Sequence, residues 1–210
     1  MAKFDTMILN SGGLRSLVVT AMAVREMDPE LVALVHYAQR QPNSRHRTQM
    51  MKKQAEHFGI QTIVRSEMAS LIPRPGAAVR DDNEPSPPTF YRPQIMLAAL
   101  AQAIEYKVKR LIIPYQCNAI HKQIAKITEQ TTLVQHTAEL DFEGELPPLD
   151  MPLLDMTDRQ LVELGGQMDV PWAMSWSCLH AGDVPCGGCQ ACIRRAQGFK
   201  EAGIADGHDA

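Results

Sequence analysis

The sequence predicts an α/β fold with a doubly wound, mainly parallel five-stranded sheet, followed by a small cysteine-rich module near the C-terminus. Short apolar runs alternate with segments of helical periodicity, as is typical of parallel sheets that carry helices on both faces. Four of the five cysteines then fall within fifteen residues. We therefore expect an α/β domain at 1–150 and a helical, cysteine-rich module at 151–210.

Five short apolar segments are predicted to form the strands of this sheet. The clearest is Leu31–Val35, because a continuous apolar run rich in β-branched residues is typical of a strand buried on both faces. The predicted strands are Thr6–Leu9, Leu31–Val35, Ile60–Val64, Arg110–Pro114 and Thr131–Val134.

Helices are predicted between and after the strands. The first begins at Leu14, where apolar residues follow one another at helical spacing. Ser44 is a candidate N-cap and Gly59 a stop signal for the second helix, and Pro93 is suited to the first turn of the third. Two more helices are predicted at His121–Gln130 and Asp155–Gly165. The segments 66–88 and 205–210 are expected to form a long loop and a frayed tail.

Composition and charge exclude several classes of function. The net charge of −3 gives no footprint for general nucleic-acid binding, and no apolar stretch approaches the roughly 20 residues that a membrane span needs. The first residues show no signal-peptide pattern, so we expect a cytoplasmic protein with reduced thiols. A basic cluster, Arg45-His46-Arg47 with Lys52 and Lys53, is expected to be a solvated helix face rather than an RNA-binding surface.

The cysteine cluster predicts a metal site. Cys178, Cys186, Cys189 and Cys192 follow the spacing C-x7-C-x2-C-x2-C, which brings four thiolates to one ion. A structural zinc ion is the first interpretation, and an iron–sulfur cluster is the second because it also accepts four thiolates. Disulfides are disfavoured in a reducing compartment. His180 is expected to be a bystander and Cys117 a buried apolar residue.

A glycine-containing loop follows the first predicted strand. It reads Ser11-Gly12-Gly13-Leu14-Arg15-Ser16 and leads into an amphipathic helix. Glycines let backbone N–H groups approach an anion, and a helix N-terminus favours negative charge. Ser-Gly-Gly alone is also compatible with an ordinary turn, but its position between strand and helix favours phosphate binding.

These motifs together resemble a known family. The loop is similar to the SGGxDS loop of the ATP-pyrophosphatase (PP-loop) superfamily. With the cysteine module, the chain resembles the 7-cyano-7-deazaguanine synthase family, ATP-dependent enzymes that make a queuosine precursor. The supporting segments are Tyr37-Ala38-Gln39-Arg40, similar to Y-x-Q-R, together with Pro88-Thr89-Phe90, Pro152-Leu153-Leu154 and Ser175-Trp176-Ser177-Cys178.

The resemblance implies a fold, a reaction and a set of site residues. The implied fold is adenine nucleotide alpha-hydrolase-like, and in the implied reaction ATP adenylates the carboxylate of a carboxylated deazaguanine, after which ammonia displaces AMP. Magnesium with the ATP, a structural zinc ion and a homodimer are implied as well. The implied roles are phosphate binding by Ser11, Gly12, Gly13, Leu14 and Ser16, substrate binding by Tyr37, Gln39 and Arg40, catalysis by Arg15, Ser16, Arg92 and Lys122, and zinc ligation by the four cysteines.

Two departures from the family pattern leave other functions open. Arg15 stands where the family has a loop aspartate, and an arginine has no acceptor with which to ligate magnesium. The stretch Cys117–Lys122 lacks the aspartate that the family carries in the same region. The alternative is a catalytically silent relative that keeps the fold and the zinc ion and binds a nucleotide, an anion or a protein partner. A third, less favoured class is an RNA-modifying PP-loop enzyme.

Overall fold

The sheet is parallel throughout and has five strands. The computed structural model describes residues 4–38, 41–67 and 91–208. The strand order is β3-β2-β1-β4-β5, so the chain runs outward from the central strand on one side and then crosses to the other. This confirms the predicted fold class. The strands are β1 (Thr6–Leu9), β2 (Val32–Ala38), β3 (Thr62–Glu67), β4 (Arg110–Ile112) and β5 (Leu149–Asp150).

Six α-helices in the described residues cover the two faces of the sheet. They are α1 (Leu14–Glu26), α2 (Ser44–His57), α3 (Tyr91–Glu105), α4 (His121–Asp141), α5 (Asp158–Gln167) and α6 (Gln190–Ala202). Successive strand residues point to opposite faces. Met7 and Leu9 accordingly pack in the cluster that holds α3 and α4, whereas Ile8 packs with α1, α2 and α5.

The predicted strand Thr131–Val134 is wrong, because these residues lie inside α4. The buried residues of this segment follow helical periodicity. They form one stripe along α4 that consists of Ile127, Thr131, Val134 and Ala138. The Thr131 hydroxyl donates to the Ile127 carbonyl oxygen at 2.8 Å, so its polar group is satisfied within the helix. The fifth strand is instead the two-residue β5.

Several predicted boundaries shift by a few residues. Ser66 and Glu67 belong to β3 rather than to the predicted loop, and they pair with Tyr37 and Ala38. The rest of that loop lies outside the described residues. Helix α3 begins at Tyr91, which leaves Pro93 in the first turn, where no amide hydrogen bond is lost. Helices α2 and α5 begin at Ser44 and Asp158.

The segment expected to be a frayed tail is packed as far as residue 208. Helix α6 ends at Gly203 in the left-handed conformation, and Asp206 then folds back to form a buried ion pair with Arg195. The ring Nε2 of His208 donates to the carbonyl oxygen of Ser175 at 2.7 Å. These contacts bring the end of the described chain back to the segment before the cysteines.

The division into domains at residue 150 stays a prediction. Strand β5 ends at Asp150, and α5 and α6 follow it. Leu161 of α5 nevertheless packs in the same cluster as Ile8 of the central strand. In the described part of the chain, no helix is long and apolar enough to cross a membrane.

We predict that Asp206→Asn lowers the free energy of unfolding by about 3 kcal/mol, because it leaves the buried Arg195 guanidinium without its carboxylate. Asp5→Asn is the matched control, since the Asp5–Lys109 pair is exposed and should contribute less than about 1 kcal/mol. Urea unfolding of the metal-loaded protein measures both. Equal losses in the two variants would contradict the prediction.

Candidate functional site

A pocket of about 450 Å³ opens at the carboxyl ends of the central strands. Leu9, Tyr37 and Pro114, at or just after the ends of β1, β2 and β4, contribute to its lining, and α6 supplies part of the opposite wall. Strands β2 and β3 follow on one side of β1, whereas β4 and β5 follow on the other, so the strand order switches between β1 and β4. Ligands of doubly wound folds bind at such switch points. The pocket is therefore the candidate site.

The loop after β1 is held in a defined shape by its own polar groups. The Gly12 amide donates to Asn10 Oδ1 at 2.7 Å, and Asn10 Nδ2 donates to Gln54 Oε1 at 2.8 Å. Gly12 has a φ of +73°, and a Cβ at this position would lie 2.0 Å from the carbonyl oxygen of Arg47. Both the left-handed backbone and the close approach of α2 therefore require glycine.

The start of α1 offers donors to the pocket. Its first internal hydrogen bond runs from the Leu17 amide to the Gly13 carbonyl oxygen, and no side chain caps the helix. The preceding amides, from Gly13 to Ser16, thus lack helical partners, as at any helix N-terminus. The hydroxyl oxygens of Ser11 and Ser16 lie 3.2 Å apart beside them. Such a group of donors is suited to an anion.

Arg15 extends from this helix start into the pocket. Its Nε donates to Gln116 Oε1 at 2.6 Å. Burial lowers the pKa of the Arg15 guanidinium most, and the neighbouring charge of Arg194 lowers it further. Asp158 acts in the opposite direction, while Arg47 adds to the lowering. The guanidinium of Arg15 therefore sits among other positive charges.

Asp158 and Arg194 form a bidentate ion pair in the pocket wall, and sequence reasoning missed both residues. The Arg194 Nη2 lies 2.9 Å from Oδ1 and 2.8 Å from Oδ2 of Asp158, and Nε lies 3.0 Å from Oδ2. Among the described lining residues, Asp158 is the one acidic side chain. A helix start near Thr157 was readable from the Thr157–Gln160 capping pattern, but no local signal connects Asp158 with Arg194.

The substrate residues expected from the sequence are only partly described. Tyr37 lines the pocket, and its hydroxyl donates to Gln102 Oε1 at 2.8 Å; burial raises its pKa above the usual value. Gln39 and Arg40 lie outside the described residues. Arg92 lines the pocket, whereas Lys122 is exposed on α4 and is not among the described lining residues.

The basic cluster on α2 divides into two parts. Arg45, Lys52 and Lys53 are exposed, as expected for a solvated face. Arg47 instead lines the pocket, and His46 stacks on Trp176 with ring centroids 4.2 Å apart. Arg47 therefore faces the pocket and His46 contacts the cysteine module, whereas the rest of the basic cluster on α2 is exposed.

The four cysteine sulfurs converge on one point. All lie within 4.8 Å of one another. Backbone amides of Cys186 and His180 donate to the Cys178 sulfur, and that of Cys189 donates to the Cys186 sulfur. The amides of Cys189 and, to a smaller extent, Gly188 lower the pKa of the Cys186 thiol to about 6. The four residues could hold a metal ion, because thiolates are the ligand form that metals require.

Hydrogen bonds join the segment that leads into the cysteines to the loop and to the region of α2. The Trp176 amide donates to the Gly12 carbonyl oxygen at 2.9 Å, and Gln54 Nε2 donates to the Met174 carbonyl oxygen at 2.7 Å. Asn43 Nδ2 donates to the carbonyl oxygen of Cys178 at 2.7 Å. The segment that leads to the first cysteine is therefore part of the pocket's framework.

A parallel sheet with a glycine loop after its first strand and a knuckle of four cysteines that could hold a metal ion is typical of the PP-loop fold. Comparison with known families narrows this class. The model of the family described as "Queuosine biosynthesis protein QueC" matches residues 5–203, and the chain belongs to this family.

Individual relatives agree with this assignment. The chain is 30% identical over 217 residues to a 7-cyano-7-deazaguanine synthase from Methanothrix thermoacetophila, covering 94% of this chain and 95% of the relative. It is 27% identical over 225 residues to a 7-cyano-7-deazaguanine synthase from Methanosarcina mazei, covering 94% of each.

A solved structure shares the fold. It is the U34-tRNA thiolase NcsA from Methanococcus maripaludis with its [4Fe-4S] cluster, which matches with a TM-score of 0.53 and 14% identity. The match covers 95% of this chain and 64% of the thiolase chain.

The two metals implied by the family resemblance differ in how well these residues fit them. The cysteine cluster supplies four thiol ligands for one ion. The loop does not fit magnesium, because the guanidinium of Arg15 has no acceptor, and both oxygens of Asp158 already accept from Arg194.

We predict that Gly12→Ala destabilises the protein far more than Gly203→Ala. Both glycines have left-handed backbones, which cost an alanine about 1–2 kcal/mol, but only at Gly12 does the new methyl group meet the Arg47 backbone. A Cβ on Gly203 would have nothing within 4 Å. Thermal unfolding measures the difference, and similar losses at the two positions would contradict the packing described for the loop.

Proposed function

We propose that this chain carries out 7-cyano-7-deazaguanine synthase-type chemistry, as an ATP-dependent C–N ligase acting on a carboxylated deazaguanine or a similar carboxylate. One observation carries the proposal: the donor-rich start of α1 opens onto the pocket at the switch point of the sheet, in a chain of the QueC family. Phosphate groups bind well at a helix start of this kind.

The C–N bond forms in two steps. A carboxylate oxygen of the substrate attacks the α-phosphorus of ATP, and pyrophosphate leaves. Ammonia then attacks the acyl carbon, loses a proton and displaces AMP, which leaves an amide. A nitrile product requires a second ATP: the amide oxygen attacks its α-phosphorus, pyrophosphate leaves, and AMP then departs with that oxygen as the nitrogen loses its two protons. Positioning and charge neutralisation supply most of the catalysis in such transfers.

Residues of the pocket have matching roles in these steps. Amides from Gly13 to Ser16, with the hydroxyls of Ser11 and Ser16, hold the departing pyrophosphate. Arg15 and Arg92 offset its negative charge. Tyr37, on the strand beside the loop, contributes an aromatic wall for the deazapurine. The roles of Gln39 and Arg40 in substrate binding rest on the family resemblance.

We propose zinc as the ion at the cysteine cluster. Four sulfurs about 2.3 Å from one ion lie about 3.8 Å apart in a tetrahedron, which is close to the observed arrangement. An iron–sulfur cluster must fit several atoms between its thiolates and so needs a wider spacing than the 4.8 Å maximum found here. A bound zinc ion would tie the segment from Met174 to Cys178 in place without redox chemistry.

A catalytically silent family member is the second candidate. The specific observation in its favour is that Asp158, the one acidic side chain among the described lining residues, is fully engaged by Arg194. Such a protein would keep the fold and the metal and bind a nucleotide, an anion or a protein partner. The homodimer and the cytoplasmic location expected from the sequence also stay predictions.

Turnover distinguishes the two candidates. With ATP, ammonia and 7-carboxy-7-deazaguanine, we expect AMP and pyrophosphate to appear. Arg92→Gln should lower kcat/KM by about tenfold, the effect of one lost charge-assisted contact. Arg25→Gln is the control, because Arg25 is exposed at the far end of α1. Nucleotide binding without AMP release would favour the silent candidate instead.

We predict one zinc ion per chain and no iron in the purified protein, measured by elemental analysis and visible absorbance. Cys189→Ser should reduce the zinc content and the melting temperature together, because the ion stabilises the folded state. Cys117→Ser should leave the zinc content unchanged, since Cys117 is buried away from the cluster. Iron in stoichiometric amount would overturn the assignment of zinc.

A further inference from the structure

Arg15 brings a positive charge to the position where a PP-loop would place a metal-binding carboxylate. In the described part of the chain, only Nε of Arg15 has a hydrogen-bond partner, Gln116 Oε1. This contact orients the Nε–H of the guanidinium and leaves its two terminal nitrogens as donors. A fixed guanidinium with two adjacent donors matches two oxygens of one phosphate group.

The carboxylates near Arg15 offset this charge only in part, because each is paired with another arginine; burial and the neighbouring arginines lower the pKa of Arg15, whereas the charge of Asp158 raises it. Both oxygens of Asp158 accept from Arg194, and the carboxylate of Asp206 binds Arg195. Arg92 lies on the same pocket as Arg15 and adds to the positive field around it. The pocket thus gathers guanidinium groups around a helix N-terminus, an arrangement that favours an anion with several charges.

We propose that this pocket binds a diphosphate or triphosphate group directly to Arg15 and to the loop amides, without a divalent cation. The inference deepens the proposed function and rests on it for the identity of the site, because it specifies how that site holds its nucleotide. The guanidinium takes the place of both the loop acid and the ion that such an acid would hold.

A diphosphate fits the arrangement better than a single carboxylate does. The loop amides with the Ser11 and Ser16 hydroxyls form one group of donors, and the Arg15 guanidinium forms a second. Two linked phosphates can contact both groups at once, whereas one carboxylate can satisfy only one of them.

Calorimetric titration with inorganic pyrophosphate and with ATP tests the proposal on the zinc-loaded protein. Each probe is titrated once in EDTA and once in excess magnesium, after confirming that EDTA leaves the zinc content intact. We expect tight binding in EDTA and no gain from magnesium. Binding that requires magnesium, or no binding of either probe under both conditions, would overturn the proposal.

Variants at one position sharpen the test. Arg15→Gln should weaken pyrophosphate binding in EDTA by about 10- to 100-fold, the range expected for a lost charge-assisted contact. Arg15→Asp should lose it further and gain a dependence on magnesium. Arg25→Gln, which removes the same charge from an exposed position of α1, should bind like the parent protein. Unchanged binding by Arg15→Gln would contradict the proposed role.

The outcome is separable from that of the proposed function. Pyrophosphate binding in EDTA needs no deazapurine and no turnover, so it can succeed in a silent protein. Conversely, formation of AMP that depends strictly on magnesium would support the ligase and overturn the direct role of Arg15.

Discussion

The hydrogen bond from the Trp176 amide to the Gly12 carbonyl oxygen is the contact on which the geometry of the site depends. Gly12 is also held through its own amide by Asn10, and Asn10 is held by Gln54, which in turn donates to the Met174 carbonyl oxygen. The loop therefore takes its shape from a closed circuit of buried polar groups, each of which would be costly to leave unpaired. Two of its five residues, Met174 and Trp176, belong to the segment that leads into the cysteines.

This circuit connects the cysteine knuckle to the loop that we propose to bind phosphate. The Met174–Cys178 segment has few apolar anchors of its own apart from Trp176, which packs beside the cysteines and under His46. The buried Arg195–Asp206 pair and the cysteine cluster hold the segment from the other side. The ion that we propose at the cysteines would thus stabilise the arrangement of the loop amides without contacting the proposed phosphate site.

Local patterns predicted the elements that surround the loop and failed where a distant partner decides the structure. Strand β1 and the start of α1 were readable because an apolar run, a glycine pair and a helical stripe follow one another directly. The segment Thr131–Val134 was predicted as a strand because β-branched residues favour strands. Its helical structure becomes evident only from the buried stripe that runs along the 21-residue helix α4. The tail was unpredictable for a similar reason, since the polar Asp206 is buried only through Arg195. Asp158 and Arg194 are 36 residues apart, and no sequence motif predicts that they form an ion pair in the pocket.

The residues that maintain the fold and the residue that sets the charge of the site are different. Gly12 cannot change without a collision with α2, and the cysteines cannot change without loss of the metal ligands. Within the described residues, the Arg15 side chain makes one hydrogen bond, to Gln116, and the backbone amide of Arg15 belongs to the helix start whatever its side chain. An inversion of charge at this position therefore leaves the loop intact and alters only what must accompany the phosphate. Because a guanidinium carries its charge without a dissociable ion, the proposed site needs no magnesium ion to hold a polyphosphate.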